Sequence, residues 1–251
     1  MDTTVCKEGQ EIWEDYEEKR KAGFIKAMEF KKKGGKIAGC LCAYTPVEIL
    51  EAAGMASIGL CGTSQETIPD AEKVLPKTIC PLIKSTYGFA LTKKCPYTYF
   101  SDIIIGETTC DGKKKMYELL GEIKDVHILH LPQGKDVPYA KKMWYEECVR
   151  LKEALEEKFG ITITDEALRN AVKKRNHARK LMCELYAMQK ADPPMMKGID
   201  MMLSIQKETF AMSVDDYIAD MEKLIADAKK AYLEEGERPV PAVSYTHLTL
   251  P

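Results

Sequence analysis

Four short apolar runs decide the fold: KIAGCLC at 36–42, ASIGLCG at 56–62, DIIIGE at 102–107 and VHILHLP at 126–132. Each run is bounded by glycine, proline or polar residues, which is typical of a buried strand. Segments that favour helices lie between the runs. This alternation predicts an α/β fold with a mostly parallel sheet whose two faces are covered by helices.

Capping signals place the first helix between the first two runs. Thr45 can cap it, Pro46 can occupy its first position, and Glu48 can close a capping box. We expect this helix to end near Gly54. The result is strand, helix and strand within a short stretch.

Composition and pattern divide the chain into four segments. Residues 1–35 predict an amphipathic leader helix, 36–136 an α/β domain and 137–242 a helical region. The tail at 243–251 contains SYTHLTLP, which resembles the translation of a sequencing adapter, so we expect it to be non-native and the gene to continue. Within the helical region, helices are predicted at about 137–159, 165–191 and 213–235.

Charge and motif content exclude several functions. The chain has 37 Lys+Arg and 39 Asp+Glu, a net charge of -2, so no overall field favours nucleic acid or an anionic membrane. It has no apolar run long enough to span a membrane, and its start is too acidic for a secretory signal, so we expect a cytoplasmic protein. It also lacks the motifs GxGxxG, P-loop, GxSxG and HExxH.

Nine cysteines in a cytoplasmic chain point to metal or redox chemistry rather than to disulfides. Cys80 precedes Pro81, and Cys110 follows the third apolar run, so both are expected to open helices. A helix N-terminus favours the thiolate, which is the form that binds iron, and it also favours an anionic cluster. By spacing alone, packing as a small hydrophobic residue is an equal alternative for each.

The other cysteines are weaker candidates. Cys40 and Cys42 alternate along one strand, so at most one is expected to face the site. The lysines at 113–115 are interpreted first as a solvated helix face, and second as charges beside a negative cluster or an acyl-CoA phosphate. Zinc is not favoured, because the histidines form no short-spaced pairs with cysteines. Packing is the preferred interpretation for the remaining cysteines and hydrogen bonding for the histidines: Cys6, Cys61, Cys95, Cys148 and Cys183; His127, His130 and His177.

The order and spacing of four strings resemble the 2-hydroxyacyl-CoA dehydratase family. Within that family they are most similar to the double-cubane-cluster proteins, which are anaerobic reductases. The resemblance covers about 36–133 closely, and the helical region to about 240 is similar in layout. The strings are GCLCAYTPVEILEAAGM, LPKTICPLIKSTYGF, KKCPYTYFSDIIIGETTCDGKKKMYELL and HILHLPQ.

The resemblance implies a fold and a cofactor. Family members have two Rossmann-like or flavodoxin-like α/β domains with a helical segment between them, and each protomer holds an iron-sulfur cluster through three cysteines. Two of these match Cys80 and Cys110, and Cys42 ranks behind them as a ligand. The third lies in the second α/β domain, which this chain is expected to lack.

The resemblance also implies activities and partners. An ATP-hydrolysing activator supplies low-potential electrons to a [4Fe-4S] cluster or to a double-cubane [8Fe-9S] cluster in a homodimer or with a related second subunit. The substrate is a small reducible molecule, or an (R)-2-hydroxyacyl-CoA that is dehydrated through a ketyl radical. Glu48 is the candidate catalytic residue, and Ser85 the candidate for binding substrate. A non-catalytic electron carrier is the alternative to an enzyme.

Overall fold

The computed structural model describes residues 23–234 and 236 of the chain. Of the predicted leader helix, residues 23–32 are helical and form α1. Cys6 and the tail at 243–251 lie outside the described residues. The other elements are β1 (Lys36–Leu41), α2 (Val47–Ala52), β2 (Met55–Gly59), α3 (Ile68–Ala71), α4 (Pro81–Leu91), α5 (Pro96–Phe100), β3 (Ile103–Glu107), α6 (Asp111–Gly121), β4 (Val126–Leu129), α7 (Ala140–Phe159), α8 (Asp165–Met188), α9 (Gly198–Gln206), a 3-10 turn (Lys207–Phe210) and α10 (Val214–Leu233).

The four strands form one parallel sheet in the order β2-β1-β3-β4. All four predicted apolar runs contribute a strand, which confirms the α/β prediction. After each of the first three strands, a helical connection brings the chain back to the end of the sheet where the next strand begins, as a parallel sheet requires. The carboxyl ends of all four strands therefore meet at one edge of the sheet.

Helices cover both faces of the sheet, because the strands are apolar on both sides. On one face Leu41 and Ile104 pack with residues of α4 and α6, among them Tyr87 and Met116. On the other face Ile103 and Ile105 pack with Leu50 of α2. Neighbouring residues of β3 thus point into different cores, in keeping with the period of two along a strand.

Helix α7 belongs to the second face of the sheet. Its Leu151 and Leu155 are fully buried in the same core as Ile105. The chain accordingly divides into one unit at 1–168 and another at 169–251. The helical region expected from 137 onward is thus divided, because α7 has an apolar face that the sheet buries.

The second unit has a helical core of its own. Leu181 and Leu185 of α8 pack with Tyr217 and Met221 of α10. Ser213 caps α10 by accepting a hydrogen bond from the Asp216 backbone N–H at 3.2 Å. Helix α9 and the 3-10 turn were not predicted from the sequence. None of the described helices is long and apolar enough to cross a membrane.

The predicted capping of α2 is wrong. The helix begins at Val47, with Pro46 rather than Thr45 as its N-cap, and no side chain caps it. The Thr45 hydroxyl instead donates to the carboxylate of Glu107, 62 residues away. The predicted end is confirmed, because Gly54 has a φ of +69° just beyond the helix.

Gly88 lies in α4 where a side chain has no room. A Cβ there would lie 2.2 Å from the backbone oxygen of Thr67, which cannot move away as a side chain can. We expect Gly88→Ala to lower the free energy of unfolding by about 1–3 kcal/mol, measured by urea denaturation. Gly121→Ala is the matched control, because no atom lies within 4 Å of its added Cβ. That variant should be neutral or slightly stabilising, and equal losses in both would contradict the packing interpretation.

Candidate cluster site at the carboxyl edge of the sheet

The strand order creates a crevice between β1 and β3. After β1 the chain moves to one side of the sheet, to β2, whereas β3 and β4 lie on the other side of β1. The connections that leave β1 and β3 therefore depart in opposite directions, which makes their carboxyl ends a topological switch point. Ligands of open α/β sheets bind at such a point. Here it presents Cys42, directly after β1, and residues 108–110, directly after β3.

A buried carboxylate joins the two sides of this crevice. Glu107, the last residue of β3, has no exposed surface. Its Oε2 accepts a hydrogen bond from the Tyr44 backbone N–H at 3.0 Å, and its Oε1 accepts one from the Thr45 hydroxyl at 2.7 Å. The loop after β1 is thereby fixed to the end of β3.

Tyr117 of α6 holds the backbone of the same glutamate. Its hydroxyl donates to the Glu107 backbone oxygen at 3.0 Å and accepts from the Glu107 backbone N–H at 3.1 Å. Burial raises the pKa of Tyr117. The tyrosine therefore stays protonated and keeps donating.

Cys80 and Cys110 are the N-cap residues of α4 and α6, as the sequence predicts. Both thiols are free and exposed, and neither makes a capping hydrogen bond. Each helix has 11 residues, so each thiol lies at the positive end of a sizeable helix dipole. The sulfur atoms thus remain available to a ligand.

The two helix starts pack on each other through Gly112. A Cβ at Gly112 would lie 2.7 Å from Ile83 Cδ1 and 3.2 Å from two atoms of Ile79. Ile79 directly precedes Cys80, and Gly112 is two residues after Cys110. The absence of a side chain therefore lets the first turn of α6 approach the start of α4.

Cys42 joins this group from the other side of the crevice. It has a φ of +83°, an uncommon conformation for a residue other than glycine. Its sulfur lies 3.5 Å from the Thr109 hydroxyl and accepts a hydrogen bond from the ammonium of Lys113. Cys40 is buried in the core below, so only one of the two alternating cysteines faces the crevice, as expected.

Lys113 differs from the two lysines that follow it. Its side chain is buried, whereas Lys114 pairs with Asp111 and Lys115 with Glu118 on the exposed helix surface. The interpretation of 113–115 as a solvated face is correct for the last two lysines and wrong for Lys113. No local pattern in the sequence distinguishes Lys113 from Lys114 and Lys115.

The residues predicted for catalysis and for substrate binding, Glu48 and Ser85, lie in α2 and α4. Glu48 is half-buried in the first turn of α2, and its charge, after burial and Glu147, contributes to a raised pKa of Cys148 in α7. Ser85 is buried in α4, and its hydroxyl donates to the Ser64 backbone oxygen at 2.5 Å. Ser85 thus holds the loop after β2 against α4. Their parts in catalysis and binding stay predictions.

The remaining cysteines occupy varied environments. Cys95, for which packing was preferred over ligation, is the N-cap of α5, and its sulfur accepts a hydrogen bond from the Thr98 backbone N–H at 3.5 Å. Cys61 is exposed beyond the end of β2, and Cys183 is exposed in α8. Exposure contradicts the expectation that these two are packed.

Two histidines, His127 and His130, lie in β4 and directly after it. His127 is in β4, where burial lowers its pKa and its Nε2 is buried without a hydrogen-bond partner among the described residues. The prediction that the histidines form hydrogen bonds is thus wrong for Nε2 of His127. Within residues 23–234, no three His, Cys, Asp or Glu side chains form a group that would hold a metal ion. The described residues therefore supply, at most, part of a ligand set.

Fold and site together define a class: a parallel α/β domain that presents free thiols at the N-cap positions of two helices that pack on each other. A model of the 2-hydroxyglutaryl-CoA dehydratase D-component family matches residues 42–248. The chain belongs to this family. The matched range includes Cys42, Cys80 and Cys110.

Three relatives illustrate the similarity. A protein of Escherichia coli (strain K12), provisionally named dehydratase subunit YjiM, is 40% identical over 237 residues, which cover 94% of this chain and 62% of the relative. One of the subunits of the benzoyl-CoA reductase of Thauera aromatica is 26% identical over 85% of this chain and 56% of its own length. The (R)-phenyllactyl-CoA dehydratase beta subunit of Clostridium sporogenes is 31% identical over 68% of this chain and 45% of its own length. The chain thus spans 45 to 62% of the length of these relatives.

Removing the Glu107 carboxylate should release the loop after β1. In Glu107→Ala the Tyr44 N–H and the Thr45 hydroxyl lose their acceptor, so we expect a loss of about 1–3 kcal/mol in unfolding free energy and faster hydrogen exchange at the Tyr44 amide. Glu107→Gln retains one acceptor oxygen and an amide donor, so its loss should be smaller. Unchanged exchange at Tyr44 in Glu107→Ala would show that the carboxylate does not hold the loop.

Proposed function

We propose that this chain is the cluster-binding part of an iron-sulfur protein that acts as a low-potential reductase, with a double-cubane-type cluster and electrons from an ATP-hydrolysing activator. One observation carries the proposal: two free, exposed thiols occupy the N-cap positions of two helices whose starts pack on each other. Membership of a family whose relatives include part of a benzoyl-CoA reductase supports it.

The residues at the crevice suit an iron-sulfur cluster. Cysteine thiolates are its ordinary ligands, and a cluster with open or shared positions needs fewer than four from one chain. Cys80 and Cys110 would hold it, and the dipoles of α4 and α6 favour its negative charge. When bound, it would supply electrons at low potential. A third cysteine would come from a polypeptide segment other than the one described.

The rest of the site keeps the two thiols in place. Gly112 allows the close packing of α6 on Ile79 and Ile83, which precede and follow Cys80. Glu107 fixes the loop after β1, which begins with Cys42. Tyr117 fixes the backbone of Glu107, which lies shortly before Cys110. These contacts hold the backbone around the cysteines without a ligand, and preorganised ligands lose little entropy on binding.

The partners follow from the same proposal. An activator would bind ATP, since this chain has no nucleotide-binding motif. A second copy or a related second subunit would complete the cluster site, and the relatives named as subunits support a companion chain. Such a protein would work in the cytoplasm, where low-potential donors are available.

Loss of either capping thiol should lower the iron content. In the full-length protein, purified without oxygen, we expect Cys80→Ser and Cys110→Ser to reduce bound iron and sulfide at least about twofold and to bleach the brown colour. Iron and sulfide analysis with electron paramagnetic resonance would measure this. Cys42→Ser should have a smaller effect, since Cys42 ranks behind them as a ligand.

Cys183→Ser is the matched control, because that thiol is also free and exposed but lies in the second unit. Its iron content should equal that of the unmodified protein. If Cys80→Ser or Cys110→Ser keeps its full iron content, the residue concerned is not a ligand.

A second candidate function is that of one subunit in an (R)-2-hydroxyacyl-CoA dehydratase. The family model and the phenyllactyl-CoA dehydratase relative favour it. The cluster site would be the same, and the substrate would be an acyl-CoA thioester that loses water. Glu48 and Ser85 are the residues proposed to act on that substrate.

Anaerobic turnover separates the two functions. With activator and ATP, a reductase should reduce small molecules, whereas a dehydratase should convert (R)-2-hydroxyacyl-CoA to enoyl-CoA, detected by liquid chromatography. Activator without ATP is the control, and it should give no product. If neither substrate class reacts while the cluster is fully loaded, an electron carrier is the better description.

A further inference from the structure

Lys113 places a buried positive charge at the crevice. Its residue surface is only 6% exposed, although it stands in the first turn of α6, three residues after Cys110. Its ammonium donates to the sulfur of Cys42 across the crevice. The side chain therefore points from the helix start toward the Cys42 sulfur rather than toward water.

The other buried cations of the described residues have carboxylate partners. Lys84 is 7% exposed and pairs with Glu72 at 2.7 Å, and Arg175 is 4% exposed and pairs with Glu208 at 3.3 Å. Lys113 makes no such ion pair within residues 23–234. A buried ammonium without a counter-charge is costly, so its surroundings are built for negative charge.

Two independent features thus make the crevice positive. One is the N-terminus of the 11-residue helix α6, and the other is the ammonium of Lys113. The carboxylate of Glu107, at the end of β3, accepts its hydrogen bonds from Tyr44 and Thr45 rather than from Lys113. The ammonium of Lys113 contacts the sulfur of Cys42 instead.

We infer that Lys113 is a positioning residue that raises the reduction potential of the cluster held by Cys80 and Cys110. This inference rests on the proposed function. Reduction adds an electron to an anionic cluster, and a fixed positive charge nearby stabilises the reduced form more than the oxidised form. Burial strengthens the effect, because little water screens the charge.

The test is the midpoint potential of Lys113→Met, a neutral side chain of similar length. At the potential where the unmodified protein is half reduced, the ratio of reduced to oxidised cluster should fall about tenfold, which is a midpoint about 59 mV more negative for one electron. Anaerobic redox titration followed by electron paramagnetic resonance measures it. Lys113→Gln serves as a second neutral variant if Lys113→Met does not fold, and Lys113→Arg should restore most of the potential.

Lys115→Met is the matched control, because Lys115 is in the same helix but is exposed and paired with Glu118. Its midpoint should not move. If the Lys113 variants keep both iron and the original midpoint, or if Lys115→Met shifts it equally, the inference is overturned while the proposed function stands. An unmodified protein that binds no iron would overturn the proposed function, and the inference with it.

Discussion

The buried carboxylate of Glu107 is the contact on which the crevice depends. It ends the central strand β3, and it accepts hydrogen bonds from the loop that leaves the neighbouring strand β1. A buried carboxylate is tolerated only when its oxygens are bonded, so the loop after β1 has one favourable position. Tyr117 fixes the backbone of Glu107 from α6, and therefore the sheet, the loop and the helix are held relative to one another.

The thiols become a site through helix packing rather than through their spacing in the chain. Thirty residues separate Cys80 from Cys110, and each occupies the start of a different helix. Gly112 removes the side chain that would keep those helices apart. The parallel topology then places both starts at the carboxyl edge, where α/β proteins bind their ligands.

The strands and the helix starts at Cys80 and Cys110 were predictable, because apolar runs and Pro81 are local signals. The role of Thr45 was not, because its partner Glu107 is 62 residues away, and a capping box has the same local appearance. The burial of Lys113 was also hidden, since three consecutive lysines carry no mark of which one faces inward. The packing of α7 on the sheet was not predictable either, because its core combines residues that are distant in the sequence.

Position at a helix start does not by itself select a ligand, as Cys95 shows. It too is an N-cap followed by proline, but its helix has five residues, and its sulfur is used by the Thr98 backbone N–H. Cys80 and Cys110 differ in two physical respects: their helices are twice as long, and their sulfurs make no capping hydrogen bond. Longer helices carry the full terminal charge, and uncapped sulfurs leave their lone pairs to a metal. Exposure alone is also insufficient to identify a ligand, because Cys183 is exposed but lies inside α8 rather than at a helix start. The combination of a long helix, an unused sulfur and the switch-point edge therefore separates the two candidate ligands from the other thiols of the described residues.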